Sequence, residues 1–316
     1  MGTLDGRVVI VTGAGRGIGR EHALCFAGEG AKVVVNDLGG DIDGTGADRA
    51  PAQLVVDEIK EMGAEAVANT DSVADWEGAQ RLINTAIETF GDLHGLVNNA
   101  GILRDRVLVN MAEDEWDAIA AVHLKGHFCP TRFASAYWRE QSKAGNEVNA
   151  AVVNTSSGAG LLGNFGQANY AAAKAGIASF SMVAALELQR YGVRVNAIAP
   201  LARTRLTEAT PGMGDAVAAP DDPSKFDAWD PANISPLVAY LLTADCPVTG
   251  GVFHVGGNEI GLMEGWKLQK FLNADGRWTV EDLQKEAPAL FEGRPDLVST
   301  GTSLQEITVG WAGRQQ

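Results

Sequence analysis

Apolar residues fall along this chain in short β-branched runs separated by longer stretches with a helical repeat. The runs at 7–11, 32–35, 65–69, 93–97, 150–154, 193–198 and 251–255 are bounded by turn residues, the mark of strands buried on both faces. Between them lie helical stretches at 21–27, 51–62, 75–90, 113–141, 170–191 and 235–242. The third is the clearest: Asp75 stands as N-cap, Ala79, Leu82, Ile83, Ala86, Ile87 and Phe90 form the apolar stripe, and Gly91 closes it. Strand and helix in strict alternation predict an α/β fold, a Rossmann-type doubly wound parallel sheet with right-handed crossovers. Residues 1–257 read as one domain. Residues 258–316 read as a C-terminal extension packed on the core or a subunit interface, with Trp266, Leu268, Phe271, Leu272, Trp278, Leu283 and Leu290 to bury.

Two stretches break the pattern. Residues 39–49 are polar and glycine-rich and read as a mobile surface excursion, because their acidic spacing does not match a calcium loop. Residues 203–232 lose periodicity and gain Pro211, Gly212, Gly214, Pro220 and Pro223. A loop of that length inside a compact domain reads as a substrate lid.

Composition narrows the setting. A net charge of −15 on 316 residues argues against nucleic acid or an anionic membrane as partner. No apolar run approaches the length of a transmembrane helix, and the N-terminus lacks the layout of a signal peptide. Cys25, Cys129 and Cys246 are few, odd in number and scattered, as in a reducing, cytoplasmic setting.

The polar residues with chemical potential gather at the ends of the strands. The first strand runs into Thr12-Gly13-Ala14-Gly15-Arg16-Gly17-Ile18-Gly19 and then a helix, the context of a dinucleotide-binding turn. Asp37 ends the second strand, placed to accept the adenosine ribose hydroxyls and to repel the extra phosphate of NADP. Arg16 pulls the other way, towards that phosphate. Tyr170 and Lys174 share one face of a helix, and an ammonium there is expected to lower the phenol pKa. Ser157 is the nearest hydroxyl to orient a substrate oxygen, which completes a set for moving a proton on and off oxygen. Gly13, Asp37, Asp71, Asn99, Ser157 and Pro200 all fall at the carboxyl ends of strands, where ligands bind in such sheets.

The glycine turn, Asn98-Asn99-Ala100-Gly101, and Ser157 with Tyr170 and Lys174 at their spacings resemble the short-chain dehydrogenases/reductases, over residues 1 to about 257. Gly101 to Arg106, Val122 to Gly126 and Gly163 to Tyr170 further resemble one branch of that family. It comprises the (3R)-hydroxyacyl-CoA dehydrogenase domains of type 2 multifunctional enzymes of β-oxidation (17β-hydroxysteroid dehydrogenase type 4-like). The resemblance implies Tyr170 as acid/base, Ser157 as orienting hydroxyl and Lys174 on the nicotinamide ribose. It places Gly13, Arg16, Gly17, Ile18 and Gly19 under the pyrophosphate, Asp37 on the ribose, and Asp71 and Ser72 at the adenine. Asn99, Ala100 and Gly101 form the wall beneath the cofactor, and Pro200, Ala202 and Thr204 flank the nicotinamide.

Two departures stand out. His123 occupies a position where most members carry Asn, and reads as a core histidine. Leu201 follows Pro200 where Gly is usual. The expected activity is NAD-dependent interconversion of a 3-hydroxyacyl-CoA and a 3-oxoacyl-CoA, fatty or steroid-derived. Arg104, Arg106, Arg203 and Arg205 are expected at the CoA phosphates, and no metal is expected. An NAD(P)-dependent hydroxysteroid dehydrogenase, a 3-oxoacyl-carrier-protein reductase, and a non-catalytic nucleotide-binding regulator remain alternatives. A homodimer or homotetramer is implied.

Overall fold

A computed structural model describes residues 2–208 and 217–293. Eight strands form one sheet in the order β3-β2-β1-β4-β5-β6-β7-β8. They are β1 (Val8–Thr12), β2 (Lys32–Asn36), β3 (Ala66–Asn69), β4 (Gly95–Asn98), β5 (Ala150–Thr155), β6 (Val193–Leu201), β7 (Val252–Gly256) and β8 (Glu259–Leu262). The first seven run parallel; β8 turns back antiparallel on β7, with Val255 opposite Ile260. This eighth strand carries no signal in the sequence, because its apolar residues face solvent at the sheet edge.

Alternation along each strand sends side chains to opposite layers. Val9, Val11, Val33 and Val35 join one core with α1 (Gly17–Gly28), α2 (Ala50–Glu61) and α9 (Ser235–Leu242). Val8, Ile10, Val34 and Val152 join the other with α3 (Trp76–Phe90), α5 (Gly126–Lys143) and α7 (Ala168–Leu188). Asp75 caps α3 by accepting from Gly78 N–H at 2.7 Å, and Gly91 ends it at φ 87°.

Where one long helix was expected at 113–141, the chain forms α4 (Glu113–Ile119), a π-helical stretch Ala120–Lys125, then α5. Such wide turns recur beside functional sites, and this one carries His123. Likewise the expected loop after β5 contains α6 (Gly158–Leu162). The stretch 203–232 begins with α8 (Arg205–Glu208), while Pro211, Gly212 and Gly214 lie outside the described residues.

One expectation needs correcting. Ala168–Tyr191 is long and apolar enough, by composition alone, to cross a membrane. Here it lies along β6 and β5 with Ala173, Ile177, Ala184 and Ala185 buried, so its apolar content serves the core.

Of the extension, β8 joins the sheet and Met263 packs against Ala178, Ala197 and Val252. Beyond it, Trp266, Leu268, Phe271, Leu283 and Phe291 are exposed, around the short α10 (Val280–Glu286).

Candidate active site

Side-chain amides rung the carboxyl edge of the sheet. Asn36 Nδ2 donates to Asn69 Oδ1 at 2.8 Å, and Asn98 Nδ2 to Asn154 Oδ1 at 2.8 Å. These pairs hold strand ends level on both sides of β1 and β4, where the strand order reverses and a crevice opens. A cavity of about 780 Å³ occupies that crevice. The candidate catalytic and cofactor-binding residues line it, Ser157, Tyr170 and Lys174 at one end and the glycine turn at the other; of the four arginines expected at CoA phosphates only Arg106 and Arg205 do.

The glycine turn is built for close approach. Gly13 lies at φ 63°, and a Cβ there would stand 2.7 Å from Ala100 Cα. A Cβ on Gly19 would meet the Gly13 carbonyl oxygen at 2.1 Å. Asn99 locks the two loops together, donating from Nδ2 to the carbonyls of Thr12 (3.0 Å) and Gly13 (3.2 Å). The N-terminus of α1 has neither a side-chain cap nor an acidic residue in its first turn. Its free N–H groups and dipole therefore suit an anion such as a pyrophosphate. Thr204 sits across this turn, its Cγ2 3.6 Å from where a Gly17 Cβ would be.

Asp37 does more than face the cavity. Its Oδ2 accepts from Gly15 N–H at 2.7 Å and its Oδ1 from Gly39 N–H at 2.6 Å, so it ties the glycine turn to the end of β2. One lone pair on each oxygen remains for ribose hydroxyls. Asp71 is bound by Arg81 at 2.6 Å and by Asn69 Nδ2 at 3.0 Å.

At the other end, Ser157 caps α6, accepting from Ala159 N–H at 3.2 Å, and its hydroxyl faces the Tyr170 phenol and favours its ionised form. Lys174 is buried, and its Nζ donates to the Thr155 carbonyl at 2.6 Å, 5.5 Å from the Tyr170 ring centroid. Here an expectation fails. The phenol pKa is pushed up to about 12, not lowered: burial penalises the phenolate, the Ser157 hydrogen bond offsets part of that, and the Asp105 carboxylate adds to it. Burial brings Lys174 down to about 7, so it is a weak source of positive charge near neutral pH. His123 is buried, its ring edge-on to Tyr170 with centroids 5.1 Å apart and Nε2 2.8 Å from the Ile102 carbonyl oxygen. Burial pushes it down to about 3, so it is a neutral imidazole.

Three of the four arginines expected at CoA phosphates are already occupied. Arg104 pairs with Asp114 at 3.1 Å, Arg106 with Glu115 at 3.0 Å, and Arg203 with Asp227. A neighbouring carboxylate in each case neutralises a charge the sequence shows only as exposed. Arg205 lines the cavity, but at the dinucleotide end, where Arg16, Asp37 and Asp41 are its charged neighbours.

Two contributors were missed. Residues 39–49 are docked rather than free: Leu103 N–H donates to the Ile42 carbonyl at 2.9 Å and Arg104 Nε to that of Asp43 at 2.9 Å, so the loop walls the cavity. The other is Asp105, whose carboxylate lines the cavity beside Tyr170. Their glycines and acids look like solvent-facing composition until Leu103, Arg104 and Gln167 stand against them.

A cavity with an anion-accepting helix terminus at one end and a serine, a phenol and an amine at the other suits paired proton and hydride movement on a small molecule. Fold and site together define a doubly wound protein with a crevice suited to a dinucleotide. Sequence comparison narrows that class. A family model described as short chain dehydrogenase matches residues 7–212, and the chain belongs to that family. It is 43% identical to hydroxyacyl-CoA dehydrogenase ChsB1 of Mycobacterium tuberculosis, over 95% of this chain and 94% of that protein. It is 47% identical to the peroxisomal multifunctional enzyme type 2 of Drosophila melanogaster, over 96% of this chain but 46% of that longer protein. Among solved structures, a short chain dehydrogenase from Mycobacterium avium superposes with a TM-score of 0.83 at 52% identity, covering 94% of this chain and 99% of that one.

Proposed function

We propose that this chain is an NAD-dependent dehydrogenase that interconverts a 3-hydroxyacyl-CoA and a 3-oxoacyl-CoA, with Tyr170 as acid/base. The observation that carries the reading is the convergence of Ser157, Tyr170 and Lys174 on one end of the cavity that the glycine turn and Asp37 close at the other. Likeness along nearly its full length to a relative named hydroxyacyl-CoA dehydrogenase supports the substrate class. Asp37 supports NAD, since its carboxylate would repel a phosphate beside the ribose.

A bound nicotinamide would supply the hydride acceptor. The rest falls to this chain. Ser157 donates to the substrate oxygen and fixes it against Tyr170. The Tyr170 oxygen takes the proton from the C3 hydroxyl, and in reduction returns it to the 3-oxo oxygen. Lys174, anchored on Thr155, holds the ribose and shares the proton leaving the phenol. The neutral His123 packs the phenol ring in place. The setting we propose is cytoplasmic, and the assembly a homodimer or homotetramer through the exposed apolar residues of α5 and α7.

The test is NADH appearance across 3-hydroxyacyl-CoA thioesters, free steroid alcohols and carrier-protein thioesters, with NAD and NADP in parallel. Preference for a steroid alcohol or a carrier-protein substrate over every CoA thioester overturns this reading.

A further inference from the structure

The reacting end of the cavity contains a negative charge that the mechanism above does not use. Residues 104–106 run along the start of α7. Arg106 N–H donates to the Gly166 carbonyl at 2.8 Å, and Asn169 Nδ2 donates to that of Arg104 at 2.9 Å. Between them Gln167 Nε2 donates to Asp105 Oδ2 at 2.7 Å. Gln167 is the N-cap of α7, three residues before Tyr170, and both line the same cavity. The Asp105 carboxylate is thereby fixed beside the phenol, open to the cavity, with Oδ1 lacking a protein donor among the described residues.

Among the described residues, no cation answers it. Arg104 and Arg106 are held by Asp114 and Glu115. His123 is neutral by burial, and burial also lowers His254 on the cavity wall. Lys174 is committed to Thr155 and brought down by burial. Arg16 and Arg205 stand at the dinucleotide end with Asp37 and Asp41. A substrate group arriving next to Tyr170 therefore meets a fixed acceptor and a fixed negative charge.

We propose that Asp105 is the specificity residue of the substrate site: it admits a neutral acyl thioester, whose amide N–H groups it can accept, and turns away the free 3-hydroxy acid. The carboxylate of such an acid sits two carbons from the reacting hydroxyl, so productive placement against Tyr170 brings it near Asp105. Asp105 is open to solvent on one side, so like charges brought together there weaken binding by about tenfold rather than abolishing it. The thioester replaces that anion with a neutral carbonyl and brings N–H donors further along its arm. The identity of the substrate pair rests on the function proposed above; the charge filter itself does not.

The experiment compares kcat/KM for three probes: the N-acetylcysteamine thioester of 3-hydroxybutyrate, methyl 3-hydroxybutyrate, and free 3-hydroxybutyrate. Wild type should rank them in that order. Asp105→Asn keeps the shape and an acceptor but removes the charge. It should raise the acid relative to the methyl ester by about tenfold or more, while Asp105→Glu keeps the exclusion. An unchanged acid-to-ester ratio in Asp105→Asn overturns the proposal, as does a wild type that oxidises acid and ester equally well. If wild type oxidises the ester but not the thioester, the function proposed above falls, and the acid-to-ester ratio still decides the role of Asp105. Equal inhibition of ester oxidation in wild type by butyrate and by its methyl ester gives the same refutation without a variant.

Discussion

Lys174 donates an N–H hydrogen bond from Nζ to the carbonyl oxygen of Thr155 at 2.6 Å, which ties α7 to the last residue of β5. The amine is thus anchored to the sheet, below a phenol that burial alone would leave protonated. Tyr170→Phe should lower kcat by about a hundredfold to ten-thousandfold, the usual range for losing a positioned acid/base. Dinucleotide binding, read by fluorescence titration, should stay within a few-fold. Lys174→Ala should weaken both. Substantial turnover by folded Tyr170→Phe would sink the assignment.

Asp37 has two jobs, and they separate in one variant. Asp37→Ser should shift the kcat/KM ratio towards NADP by about tenfold or more, because the repelling charge is gone. It should also cost about 1–3 kcal/mol of stability, since the Gly15 and Gly39 N–H groups lose a charged acceptor. Thermal melts and steady-state kinetics read the two effects apart. A wild type that uses NADP as well as NAD would show that Arg16 outweighs Asp37.

Acid should unfold this protein through its histidines. His22, at Ser235 Oγ (2.9 Å), and His123 are buried neutral, each lowered by burial to about 3 from an ordinary 6.5. His127 is lowered as well, chiefly by burial. Above pH 6.5 neither folded nor unfolded chain protonates them, and the native state keeps its full stability. Between 6.5 and about 3 the unfolded chain binds protons that the folded chain refuses, so stability falls as pH falls. Each histidine contributes about 1.4 kcal/mol per pH unit. Melts at pH 7, 6 and 5 should show the decline, and His22→Gln should flatten it by one proton's worth. An identical slope in that variant would rule His22 out.

The assembly proposed above predicts its own disruption. Phe128 on α5 packs against Trp76 of α3 with both exposed, and Met182, Val183 and Leu186 are exposed on α7, apolar residues that an interface would cover. Leu186→Glu should convert the wild-type oligomer to a smaller species by light scattering. A wild type already monomeric at micromolar concentration ends the idea.

Much of this was written locally. Runs such as Val8 to Val11, the stripe from Ala79 to Phe90 and the Gly13 to Gly19 turn act through neighbours a few residues away. Pattern alone therefore determined the doubly wound sheet, its glycine turn and the shared helical face of Tyr170 and Lys174. What the sequence could not supply depends on groups distant along the chain. β8 becomes a strand only because β7 offers it a free edge. That Arg104, Arg106 and Arg203 pair with Asp114, Glu115 and Asp227 shows only once the chain has folded. The Tyr170 pKa rises, against expectation, because burial penalises the phenolate and the Asp105 carboxylate adds to it. Asp105 becomes part of the site only when Gln167, 62 positions later, turns its amide onto it. Local periodicity is a short-range property and survives in one dimension; ion pairing, desolvation and cavity walls are sums over space, and only the tertiary structure performs them.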